Sequence, residues 1–102
     1  MAKSVIWSEE ALHDIDLIAE YISRDSVYYA QQVVERIIKT GESVNLYPRS
    51  GTMVPELGEA CYREKFVYSY RLIYEIGSNT VNILAVIHGK RLLEPDGRFA
   101  DD

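Results

Sequence analysis

Five of the eleven lysines and arginines in this 102-residue chain fall between residues 60 and 91. They are Arg63, Lys65, Arg71, Lys90 and Arg91, and only Glu64 and Glu75 oppose them there. That segment carries +3, residues 1–59 carry −5 and residues 92–102 carry −3, which gives the net −5. A cluster of this kind holds anions, phosphate or carboxylate. It moves protons poorly, because arginine stays protonated near neutral pH. The two histidines add little. His13 lies among acids on a helical segment and reads as solvated, and His88 ends an apolar strand, where packing or a hydrogen bond is the commoner role. The chemistry on offer is therefore anion contact from a local patch on an acidic body. A plainer alternative stands beside it, in which Arg63 and Arg71 pair with Glu64, Glu75 or acids of the tail.

Composition narrows the rest. With 47% hydrophobic and 26% charged residues the chain matches an ordinary globular domain. A net charge of −5 disfavours a protein that simply coats nucleic acid. One cysteine, Cys61, allows no internal disulfide and reads as a small buried hydrophobe. One cysteine and two histidines leave little for a metal site, and no cofactor is expected. No apolar run approaches a membrane span, and Met1-Ala2-Lys3-Ser4 leads into Val5-Ile6-Trp7 without a signal-peptide pattern. The expectation is a cytoplasmic single domain, with a core over about residues 3–91 and a tail over 92–102.

The elements that must position the cations follow from periodicity. Residues 3–7 are β-branched and aromatic, as a strand requires. Ser8 followed by Glu9 and Glu10 starts a helix over about residues 8–24, with Ala11, Ile15, Ile18, Ala19 and Ile22 as its apolar stripe. Leu12, Leu17 and Tyr21 lie off that stripe, as do Asp14, Asp16 and Glu20. Asp25-Ser26 caps a second helix that ends at or before Tyr47, because Pro48 follows. Gly41 inside it costs about 1 kcal/mol against alanine, which is tolerable where another element approaches closely. So short a connection makes the two helices an antiparallel hairpin. Residues 48–59 hold two prolines and two glycines and read as loop. The period then changes to two, giving strands over residues 60–66, 70–76 and 80–88, with Gly77-Ser78-Asn79 as a hairpin turn. The last strand is apolar on both faces and belongs inside the sheet. The fold class is α+β, in the order β-α-α-β-β-β: a small antiparallel sheet with the helical hairpin on one face. The other face is expected to stay partly open and to present the lysine and arginine side chains. Trp7 and the eight tyrosines read as core or half-buried anchors, with base stacking as the alternative.

This order resembles the ParE/RelE superfamily of type II toxins. The likeness spans about residues 6–91. It rests on Trp7-Ser8-Glu9-Glu10-Ala11-Leu12, on Asp16-Leu17-Ile18-Ala19-Glu20-Tyr21-Ile22, and on Leu46-Tyr47-Pro48-Arg49-Ser50-Gly51. The strongest matches are Tyr70-Arg71-Leu72-Ile73-Tyr74-Glu75-Ile76 and the stretch from Val81 through His88-Gly89-Lys90-Arg91. The resemblance is closer to the ParE branch. It implies a toxin held silent by a cognate antitoxin, as in plasmid stabilisation modules, and it offers two targets. ParE-like members poison DNA gyrase, and RelE-like members cleave mRNA in the ribosomal A site.

RNA cleavage by 2′-hydroxyl attack needs a base, an acid and cations around the phosphate. By resemblance, Lys65, Arg71 and Arg91 would serve an endoribonuclease. Arg63, however, stands where the nucleases usually have a lysine, and the C-terminal tyrosine is missing, with only Phe99 in that segment. The acidic body also opposes insertion among ribosomal RNA. The chain therefore reads as a binding toxin without catalysis of its own, acting on gyrase through Arg63, Lys65, Arg71, Lys90, Arg91 and Phe99. Its antitoxin is expected against Leu12, Leu17 and Tyr21. Arg71 and Arg91 are read here as surface cations whose removal leaves the fold intact. The ribosome-dependent endonuclease and a non-toxic, antitoxin-binding relative remain as alternatives.

Overall fold

The computed structural model describes residues 3–90. Strand β1 (Ser4–Trp7) leads into helices α1 (Glu9–Ser23) and α2 (Val27–Ser43). A 3₁₀ turn (Pro48–Ser50) and a two-residue strand β2 (Thr52–Met53) follow. The chain continues as β3 (Tyr62–Val67), β4 (Tyr70–Ile76) and β5 (Thr80–His88). The sheet order is β1-β5-β4-β3-β2. This is the α+β hairpin-on-sheet fold that periodicity leads to, with two differences. First, β1 pairs β5 in parallel, so the sheet is mixed rather than wholly antiparallel. Alternation along a strand says which face a side chain takes, not which way the neighbouring strand runs. Second, the expected loop contains β2, which pairs with Arg63 and Glu64 at the edge of β3.

Local chemistry sets the helix starts. Ser8 accepts the Ala11 N–H at 3.0 Å, and Ser26 accepts the Tyr29 N–H at 3.0 Å. Ser8 also donates its hydroxyl to the Leu84 carbonyl at 3.1 Å and its N–H to Ile83 at 3.0 Å, which docks the β1–α1 junction on β5. At Gly41 a Cβ would run into the Trp7 ring, so the helix glycine marks a close approach of α2 to β1.

The main core lies between the hairpin and one sheet face. Ala11, Ile15, Ile18, Val33 and Ile37 pack there on Leu72, Tyr74, Val81, Ile83 and Val86. A register shift between Ile73 and Tyr74 sets Tyr74 against Ile83 and Ile73 against Ala85. Beyond it, Val86 turns to the helices while Ala85 and Ile87 take the opposite face. That second face is not open as expected. Val54 and Leu57, from the proline–glycine segment, fold over Ile73, Ala85 and Ile87 as a small second core. Val54 and Leu57 have the same reason to bury as any apolar side chain, about 1.5–3 kcal/mol each for full burial.

Candidate functional site

Strand register decides where the cations go. Arg63 lies opposite Tyr74 and Lys65 opposite Leu72, so both share the helix-side face with those core residues. Arg71 lies opposite Phe66 and Ile87, on the other face. The predicted patch is thus split by the sheet itself, and Arg63 does not stand across from Arg71.

Arg71 is not a surface cation. It is 4% exposed and enclosed by two carboxylates. Its Nη1 and Nη2 meet the two oxygens of Glu56 at 2.7 and 2.8 Å, a fork-on-fork pair. Its Nε donates to Glu64 at 2.7 Å. The Glu56 hydrogen bonds push the guanidinium still further above its usual range; burial opposes this, and Glu64 adds to it. The guanidinium is thus engaged by both carboxylates inside the fold and is not presented at the surface to a phosphate. The expectation that Arg71 can be removed without cost to the fold is therefore corrected, because deletion would take a buried guanidinium away from two carboxylates it hydrogen-bonds. Of the two readings open for Arg71, pairing with Glu64 is the one found.

The remaining cations differ among themselves. Arg63 is half-buried and donates to the carbonyls of Ala60 at 2.8 Å and Gly51 at 3.2 Å. Lys65 is half-buried, and Lys90 is exposed just past β5. Arg91 and Phe99 lie outside the described residues. His88 is exposed and sets its ring edge-on to Tyr70 at 5.9 Å.

Leu12, Leu17 and Tyr21 are exposed on α1, at 50%, 50% and 67%. Leu17 and Tyr21 border a notch of about 290 Å³ with Tyr70 and His88. Asp14 lines it too, and its carboxylate accepts the Val86 N–H at 2.9 Å. Burial pushes the Tyr70 hydroxyl up, and the neighbouring Tyr21 and Tyr29 reinforce this. Among the described residues no group of three histidine, cysteine or acidic side chains is placed to hold a metal ion.

Three side chains escaped the sequence reading. Asp14 falls on the buried stripe with Ala11, Ile15 and Ile18, a position its spacing already implied. Glu56 is flanked by Val54 and Leu57, whose apolarity was the available signal that this segment packs down. The Tyr74 hydroxyl donates to the Pro48 carbonyl at 2.6 Å and accepts the Gly51 N–H at 3.1 Å. No local pattern announces that bond.

Comparison with known proteins agrees with this fold. A family model described as the ParE toxin of the type II toxin-antitoxin system parDE matches residues 5–93. Toxin RelE2 of Caulobacter vibrioides is 32% identical over 89 residues, spanning 86% of this chain and 97% of that protein. Among solved structures, the chromosomal ParDE system from P. aeruginosa superposes with a TM-score of 0.71 at 17% identity, over 85% of this chain and 96% of that one. The RelBE2 toxin-antitoxin complex of Mycobacterium tuberculosis gives 0.61 at 20% identity, over 86% and 99%. A mutant of E. coli toxin RelE in the free state gives 0.63 at 20%, over 88% and 86%.

Proposed function

The chain belongs to the ParE toxin family of type II toxin-antitoxin systems, within the ParE/RelE superfamily, and from that premise we propose that it arrests growth by binding DNA gyrase and is silenced by a cognate antitoxin. The target is carried over from the likeness to the ParE branch. The geometry supplies a reason to favour binding over RNA cleavage.

One observation carries that preference. Arg71 is held by Glu56 and Glu64 on one sheet face, while Arg63 and Lys65 project from the other. Cleavage by 2′-hydroxyl attack needs cations, a base and an acid converging on one phosphate. These residues diverge, and the most buried of them is already neutralised. In this reading Arg71 is a positioning residue that fixes the segment carrying Glu56. Lys65 and Lys90 contact the target, together with Arg63, Arg91 and Phe99. The antitoxin covers Leu12, Leu17 and Tyr21, where exposed apolar side chains on one helix suit an amphipathic segment. Toxin–antitoxin complexes among the structural neighbours support such a partner. The place of action is the cytoplasm; no helix among the described residues is long and apolar enough to cross a membrane.

The 32% identity to Toxin RelE2 favours a second reading, a ribosome-dependent endonuclease using Lys65, Arg71 and Arg91. It requires Glu56 to release Arg71. A third, a non-toxic relative that only binds antitoxin, would leave both targets untouched. Parallel assays with the purified chain separate them. Inhibited gyrase supercoiling with intact mRNA supports the proposal. Cuts on programmed ribosomes with normal supercoiling overturn it in favour of the second reading, and antitoxin binding alone favours the third.

A further inference from the structure

At the end of β4 away from the Tyr70 notch lies a larger cleft of about 750 Å³, bordered by Lys3, Leu46, Tyr47, Arg49 and Ile76. Notch and cleft sit at opposite ends of a seven-residue strand, roughly 20 Å apart. Leu46 and Tyr47 are 63% and 74% exposed, although they adjoin each other and a concave surface. Adjacent exposed apolar side chains beside a cleft mark interaction surfaces.

The walls of this cleft are fixed. Pro48 begins the 3₁₀ turn, the Ser50 N–H bonds the Tyr47 carbonyl at 2.9 Å, and the buried Tyr74 hydroxyl ties Pro48 to the sheet. Lys3 is held in turn. Its ammonium donates to the carbonyls of Gly77 at 2.6 Å and Ser78 at 2.8 Å. An ammonium has three N–H donors, so a third is left for a ligand. Among the described residues, Lys3 and Arg49 are the charged side chains that border the cleft, and no carboxylate borders it. On a chain of net −5 this is a local inversion of sign.

We infer that this cleft is a second docking surface, for an acidic segment of a partner protein that inserts an apolar side chain beside Leu46 and Tyr47. Tyrosine and arginine at a desolvated pocket are what interface hot spots are built from. Two cations beside an apolar wall match a short peptide that alternates acidic and apolar side chains better than a nucleic acid, whose evenly charged backbone calls for a larger basic footprint than two side chains. The inference goes beyond the gyrase reading and does not depend on it.

The test uses the purified full-length chain and a short fluorescent peptide of alternating aspartate and leucine. Fluorescence anisotropy should show saturable binding that weakens with salt. Tyr47→Ala and Arg49→Glu should each weaken it about tenfold or more. Both side chains are exposed, and an unchanged thermal melt checks that each variant is folded. Leu17→Ala and Tyr21→Ala, at the notch, should bind the peptide as the parent does. No binding by the parent overturns the inference, as does equal binding of the lysine counterpart or of a single-stranded oligonucleotide. Undiminished binding by Tyr47→Ala and Arg49→Glu, or loss in the notch variants, overturns it as well.

Discussion

Arg71 and Glu56 are joined by two parallel hydrogen bonds of 2.7 and 2.8 Å, fifteen residues apart in sequence. The pair clamps the Val54–Leu57 turn over the sheet face opposite the helices. An arginine that the sequence offers as a target contact thus works inside the fold.

Removing Glu56 should loosen that clamp without unfolding the chain, because Glu64 still accepts from Arg71. Glu56→Ala is expected to cost about 2 kcal/mol, near the range for a hydrogen bond to a charged group. In a domain of this size that lowers the melting temperature by roughly 10 °C. Urea and thermal melts read the loss directly.

Arg71→Ala should be worse. It removes the buried guanidinium that both carboxylates bond, and about 3–5 kcal/mol is the usual cost of breaking a buried pair. Reduced toxicity in that variant would then follow from reduced folded protein. Lys65→Ala and Lys90→Ala are the cleaner probes, with melts close to the parent and growth inhibition as the readout.

Gly41→Ala pits two effects against each other. Alanine raises helix propensity by about 1 kcal/mol. Its Cβ also runs into the Trp7 ring, whose indole N–H reaches Glu42 at 3.3 Å. Overpacking typically costs about 1–3 kcal/mol, so a net loss is expected. Chemical denaturation measures it, and a shift in Trp7 fluorescence reports the displaced ring.

Tyr74→Phe removes the hydroxyl that bridges Pro48 and Gly51, leaving the buried Gly51 N–H and the half-buried Pro48 carbonyl without it, at about 1–3 kcal/mol. It should also change the alkaline limb of stability. Burial raises the Tyr74 pKa above 10.0, with the Gly51 hydrogen bond and Arg63 pulling the other way. The unfolded chain then loses its proton first. Stability is full below pH 10.0 and falls as pH rises from there through the folded value. The phenylalanine variant should fall less steeply over that interval, as denaturation at a series of alkaline pH values would show.

Much of the fold is legible before any coordinates. Ser8 and Ser26 announce their helices because N-capping is local chemistry, and Gly41 signals a close neighbour that proves to be Trp7. The β1–β5 pairing is not legible, because direction across a sheet depends on the path of the whole chain. The site is less legible still. Alternation places Arg71 on the face away from the helices, yet nothing in it reveals that a proline–glycine loop roofs that face with Val54 and Leu57. Its charge sets Asp14 off the apolar stripe in the sequence, although its spacing puts it among the buried residues Ala11, Ile15 and Ile18. The bond that occupies it comes from Val86, 72 positions away.

The proposed target requires the purified chain to trap gyrase on DNA. The direct measurement is linear plasmid released from gyrase cleavage complexes as toxin is added. With gyrase as the target, linear DNA accumulates with toxin concentration, antitoxin abolishes it, and mRNA on programmed ribosomes stays whole. No linear DNA at any concentration, with mRNA cut in the ribosomal A site, would contradict that target.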